Sequence, residues 1–155
     1  MDAIKVFILT GSESDLPRMS QSKEMLDDLG IPSEIAVASA HRNPERVTSL
    51  LAEAEAAGAE IIIAGAGMSA ALPGVVASQT DLPVIGVPLD SGMPGGLDAL
   101  FSIVQMPTGI PVATVAVNGA KNAAVLAARI LSLKDPVVRD TLKDYRRKLA
   151  EGGSK

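Results

Sequence analysis

A short β-branched apolar run, a turn of small residues and a segment of helical spacing follow one another in that order along most of this 155-residue chain. Residues 4–9 read as a first strand and residues 11–15 as a turn. A helix then extends to Leu29, with Met19, Leu26 and Leu29 near one face, Pro17 in a first turn that can spare its N–H, and Gly30 just past the end. Residues 35–38 read as a second strand. Asn43-Pro44 is an N-cap followed by proline at the first helical position, and Val47, Leu50, Leu51 and Ala54 give the next helix its apolar face up to Gly58. Residues 60–64 read as a third strand, followed by a Gly/Ala segment and a small-residue helix through residues 75–79. Residues 84–87 are a fourth strand, 90–96 a loop and 97–104 a helix. Residues 112–117 are a fifth strand and 122–133 an Ala-rich helix. A last helix opens at Asp135-Pro136, with Val138, Leu142, Tyr145 and Leu149 on one face and a frayed Glu-Gly-Gly-Ser-Lys tail.

Strands that alternate with helices pair in parallel and are covered on both sides. The expected class is therefore α/β, a doubly wound parallel five-stranded sheet between two helical layers. One composition regime and no linker predict a single domain over residues 1–155, with an α/β core at 4–133 and a C-terminal helix at 135–150. Aromatics make up only 2% of the chain against 47% hydrophobic residues, so Ala, Val, Ile and Leu must fill the core. That shortage leaves no stacking platform for single-stranded nucleic acid. A net charge of −4 without a basic stripe argues against duplex binding, and Arg146-Arg147-Lys148 sits among acids as a solvated helix face. The absence of cysteine excludes disulfides, thiolate catalysis and cysteine-ligated zinc. The N-terminal apolar run is too short and too weakly basic for a signal peptide, and no apolar stretch reaches the ~20 residues that span a bilayer. The expectation is a cytoplasmic protein with no nucleic-acid or membrane partner.

In a sheet of this kind ligands bind beyond the carboxyl ends of the strands. The first strand is followed by Gly11-Ser12-Glu13-Ser14-Asp15, a small-residue turn into a helix N-terminus. Free backbone N–H groups there, with the hydroxyls of Ser12 and Ser14, suit a phosphate, and Asp15 can accept from ribose hydroxyls. The alternative is that Ser14 or Asp15 only caps the helix. The turn is neither a P-loop nor a dinucleotide fingerprint. The second strand is followed by Ser39-Ala40-His41-Arg42. His41, the sole histidine, can carry protons near neutral pH, and Arg42 suits a phosphate. The third strand is followed by a glycine-dense loop from Gly65 to Gly74, in which Gly67, Met68, Ser69, Ala70 and Leu72 can approach a ligand closely. Ser69 lacks the flanking glycines of a nucleophile elbow, which argues against a hydrolase triad.

Together these loops resemble the N(5)-carboxyaminoimidazole ribonucleotide mutase (PurE) family. The resemblance rests on the first loop, Ser39-Ala40-His41-Arg42, Leu72-Pro73-Gly74, Ser102-Ile103-Val104-Gln105-Met106-Pro107, residues 111–116 and Asn122-Ala123-Ala124, in one order across residues 4–133. It implies a flavodoxin-like three-layer fold, a homo-octamer, and neither metal nor organic cofactor. It also implies a reaction of de novo purine (IMP) biosynthesis, in which the carboxylate on the exocyclic nitrogen of an aminoimidazole ribonucleotide moves to the ring carbon through bound carbon dioxide. By the same resemblance Ser12, Asp15, Ser39 and Arg42 take phosphate and ribose, His41 is the general acid/base, and residues 67–72 wrap the imidazole.

The chain departs from that pattern in the glycine loop. Ala71 stands where mutase-type members carry a second histidine, and Met68-Ser69 replaces a Gly-Ala pair. Asp90 stands where mutases often have Gln. The altered loop motivates a second reading, direct carboxylation of aminoimidazole ribonucleotide by carbon dioxide, a lyase-type reaction in reverse. A non-catalytic phosphate-ligand module would use the same loops for binding alone, and a paralogous nucleotide carboxylase would apply them to a different substrate.

Overall fold

The computed structural model describes residues 3–152. Its elements alternate as β1 (Val6–Thr10), α1 (Leu16–Asp28), β2 (Ser33–Val37), α2 (Pro44–Ala56), β3 (Ile61–Ala66), α3 (Leu72–Ala77), β4 (Val84–Pro88), α4 (Leu97–Val104), β5 (Ala113–Thr114), α5 (Ala120–Leu131) and α6 (Pro136–Ala150). The strands form one parallel sheet in the order β2-β1-β3-β4-β5. This is the flavodoxin-like order, whose winding direction reverses between β1 and β3 and leaves a crevice there.

Every residue of β1, β3 and β4 is buried, as a strand covered on both faces requires. Val6, Ile8, Ile61, Ile63, Ile85 and Val87 pack under α1, α5 and α6. Phe7, Leu9, Ile62, Ala64 and Val84 pack under α2, α3 and α4. Few aromatics are needed because the helices come close. Five alanines of α5 (Ala120, Ala123, Ala124, Ala127 and Ala128) are buried, and Ser22 of α1 donates its hydroxyl to the Ala120 carbonyl at 2.8 Å. Gly65 is crossed by Met19, whose Sδ would overlap any Cβ there, and Gly86 is covered in the same way by Ile103.

The expected caps are present. Asn43 Oδ1 accepts from the Arg46 N–H at 3.0 Å ahead of Pro44, and Asp135 Oδ1 accepts from Val137 and Val138 ahead of Pro136. Gly30 adopts φ +69° after α1.

Other boundaries differ. β3 runs on through Gly65 and Ala66, which pair with Val87 and Pro88. α3 begins at Leu72 and ends at Ala77, earlier than expected, because Pro73 fits its first turn. α5 begins at Ala120 and ends at Leu131. β5 is two residues long rather than six: among the described residues nothing pairs with its outer side, and Asn118 turns the chain away at φ +57°. On α6, Val138 and Leu142 are buried and Tyr145 packs against the core, but Leu149 is 42% exposed. Glu151 and Gly152 form a turn, and the rest of the expected frayed tail lies outside the described residues. Among the described residues no helix is long and apolar enough to cross a membrane.

Candidate active site

The carboxyl ends of β1, β2 and β3 deliver their loops to one cleft of about 480 Å³ at the point where the winding reverses. Ser12, Ser14 and Asp15 line it from the β1 loop. Ser39, His41 and Arg42 line it from the β2 loop, and Gly67, Met68, Ser69, Ala70 and Leu72 from the β3 loop. The candidate site residues of these three loops thus share one cleft.

Each loop is shaped locally. In the first, Ser12 Oγ accepts from the Ser14 N–H at 3.3 Å and lies 2.9 Å from Ser14 Oγ. The cap is therefore Ser12, and neither the Ser14 nor the Asp15 side chain serves as one. In the second, the Ser39 carbonyl accepts from the Asn43 N–H at 2.9 Å and Ser39 Oγ from the Arg42 N–H at 3.3 Å. These bonds curl the chain so that His41 and Arg42 stand exposed on the cleft side of a turn. In the third, Ser69 takes φ +52°, a left-handed conformation that costs a non-glycine residue free energy. Ala70 is buried beneath it and Met68 is 71% exposed at the rim.

Asp15 is the one buried carboxylate at the cleft, at 6% exposure. Burial pushes its pKa up, while the charge of Arg18 and a hydrogen bond from the Ser91 side chain pull the other way. Among the described residues the lining is otherwise free of acids and carries two groups able to bear positive charge, His41 and Arg42. Such a cleft suits a ligand with an anionic end and a hydroxylated middle, with Ala66, Ala70, Ala71 and Leu72 offering an apolar pocket for the rest.

Sequence reasoning did not place Gly11, Ala40, Ala66, Ala71 or Ser91 among the site residues, yet all line the cleft. Ser91 is the informative one. It follows β4, which pairs with β3, so its loop leans on the glycine loop. A Cβ at Gly67 would overlap Ser91 Oγ, so glycine is what lets the two loops interlock. The signal was available in the position of Ser91 just beyond a strand end, but strand order is needed to know which loops touch.

A larger hollow of about 820 Å³ lies at the opposite end of the sheet, beside Ala59, Val84 and Ala113. Among the described residues its lining holds Glu55 and Asp81 and no Lys, Arg or His. It repels an anionic ligand and offers no cationic side chain to hold one, so the smaller cleft is the candidate site.

The chain is similar to known proteins along nearly its whole length. The family model described as AIR carboxylase matches residues 5–152. An N5-carboxyaminoimidazole ribonucleotide mutase of Thermotoga maritima is 54% identical over 145 residues, covering 94% of this chain and 85% of the relative. The protein of the same name from Pyrococcus horikoshii is 55% identical over 150 residues, with the same coverage of 94% and 85%. The crystal structure of Treponema denticola PurE superposes with a TM-score of 0.83 at 38% identity, covering 95% of this chain and 92% of that one.

Proposed function

The chain belongs to the AIR carboxylase family, and from that premise we propose that it is an N5-carboxyaminoimidazole ribonucleotide mutase, an isomerase of purine biosynthesis. The observation that carries the reading is the convergence of His41, Arg42, Asp15 and the apolar glycine loop on one cleft at the switch point of the sheet. Relatives at 54–55% identity bear the mutase name, which favours this reaction over direct carboxylation.

In this reading Arg42, Ser12, Ser14 and Ser39 take the phosphate, through charge-assisted bonds and hydroxyl donors. Asp15 accepts from ribose hydroxyls. Gly67, Met68, Ser69, Ala70 and Leu72 wrap the imidazole. His41 as imidazolium gives a proton to the exocyclic nitrogen as its bond to the carboxylate carbon breaks, releasing carbon dioxide into the pocket. The ring carbon attacks that carbon dioxide, and His41, now neutral, removes the proton from the same carbon. The proton balance closes on one group, and His41 is the chain's one histidine. Ala71 adds a methyl group to the cage instead of a second imidazole, so both transfers fall to His41. A small apolar cage keeps carbon dioxide beside the ring and water out.

The same reading extends to assembly and setting. The chain acts as a single domain in a homo-octamer in the cytoplasm. Support for assembly comes from α4, where Leu97, Phe101 and Val104 are about half exposed on one helical face with Met93 nearby.

The test is an assay on purified protein. The pre-formed carbamate at low bicarbonate is compared with aminoimidazole ribonucleotide plus bicarbonate, each followed by absorbance of the carboxylated product. Turnover of the carbamate, lost in His41→Asn, is expected. Turnover only of aminoimidazole ribonucleotide with carbon dioxide overturns the mutase in favour of direct carboxylation.

A further inference from the structure

The cleft carboxylate Asp15 is supported from behind by residues that do not line the cleft. Arg18 lies one turn further along α1, and its charge favours the ionised Asp15. Arg18 is itself held by Asp90, Nη2 to Oδ1 at 2.8 Å, with both side chains partly exposed. Asp90 directly precedes Ser91, which lines the same cleft as Asp15 and fills the space beside Gly67.

The loop bearing Asp90 is pinned on its other side. The Asp90 N–H donates to Asn118 Oδ1 at 3.4 Å, and the Asn118 N–H donates to the Pro88 carbonyl at 2.8 Å. The backbone on one side of Asp90 and the ion pair on the other therefore fix where Ser91 begins. The Arg18–Asp90 pair thus joins the helix after β1, at whose start Asp15 lies, to the loop after β4 that brings Ser91 into the cleft.

Resting on the mutase reading, we propose that Arg18 and Asp90 are positioning residues for the reaction, their ion pair holding Ser91 and Asp15 where the substrate ribose is received. An isolated ion pair at this exposure contributes little to folding. Its effect through Ser91 and Asp15 falls instead on a buried, charge-assisted hydrogen bond to substrate, whose loss is felt in affinity.

The experiment is steady-state kinetics with the carbamate substrate on Arg18→Ala, Asp90→Ala, the double variant and Arg18→Lys. Thermal melting runs alongside, and Asp90→Asn, which conserves volume, replaces Asp90→Ala if that variant does not fold. Each single variant is expected to raise KM roughly tenfold with kcat within about threefold of wild type. The double variant should be no worse than the singles, and Arg18→Lys should recover most of the lost KM. A merely structural pair would lower Tm and leave KM alone, and that result overturns the proposal. So do additive effects in the double variant. If wild type turns over the carbamate and the variants match it, only this inference falls; if wild type turns over no carbamate, the mutase reading falls and this one with it.

Discussion

The two ends of the sheet are built from different chemistry. At the carboxyl ends, loops of Ser, Gly, Ala and one His-Arg pair surround a cleft with a buried carboxylate and a strained serine. At the amino ends, ions tie the elements together. Glu60, just ahead of β3, accepts from Lys5 ahead of β1 at 2.6 Å and pairs with Lys134 in the turn between α5 and α6. One end opens a cleft of hydroxyls, a carboxylate and a His-Arg pair, with Arg18 and Asp90 paired behind it, and the other commits its charges to ties within the chain. The lesson is that the same parallel sheet supplies a cleft edge and a fastening edge, because strand direction puts all the connections of one kind on one side.

Four substitutions test that division. The largest effect is expected for His41→Asn at the carboxyl end: kcat falls by roughly 10²–10⁴ while Tm stays within about 2 °C of wild type. Retained turnover would break the assignment of the reactive edge. Next comes Ile63→Ala in the middle of β3, a fully buried side chain on which both ends depend. Unfolding in urea should report a loss of about 2–5 kcal/mol, and a loss confined to activity would contradict the shared core. Third is Gly67→Ala. The new methyl group displaces the Ser91 hydroxyl from the cleft wall, so KM should rise several-fold with about 1 kcal/mol of stability lost. Unchanged KM would show that the interlock with the β4 loop is dispensable.

The smallest effect is expected for Glu60→Gln at the amino end. Burial raises the pKa of Glu60, but hydrogen bonds from Lys134 and Lys5 and their charges outweigh it and hold the carboxyl below its ordinary 4.5. A depressed carboxylate pKa stabilises the fold above that ordinary value, and the contribution is lost as pH falls through the folded-state pKa. The lysines are 44% and 66% exposed, so screening limits the effect to under about 1 kcal/mol. The difference in Tm between wild type and Glu60→Gln should thus be present at neutral pH and vanish in acid, with kinetics unaffected. A change in KM would erase the distinction between the two ends.

The carboxyl edge was readable residue by residue because its signals are local. Each turn follows its own strand, and Asn43-Pro44 and Asp135-Pro136 announce their helices through bonds made within four residues. The winding was readable from the order of elements. What escaped depends on contacts distant in sequence. Gly65-Ala66 looks like loop until β4 is known to lie beside it and Met19 across it. Residues 112–117 have the composition of a strand, yet only Ala113 and Thr114 pair as one, since an edge position offers partners on one side alone. Ser91 was visible as a residue but not as a neighbour of Gly67. The ties of Glu60 to Lys5 and Lys134 join residues 55 and 74 positions apart (60 against 5, and 134 against 60), and no pattern in the string marks them.

The presence of a single histidine has an experimental consequence. In a proton NMR spectrum the imidazole C–H region of this protein holds the signals of one side chain, and that side chain stands on the wall of the cleft. No assignment by mutagenesis is required to follow it. Chemical shift against pH reads the ionisation of His41 alone, and repeating the titration with a bound nucleotide reads the change that ligand imposes. The proton carrier of the proposed reaction is its own spectroscopic label.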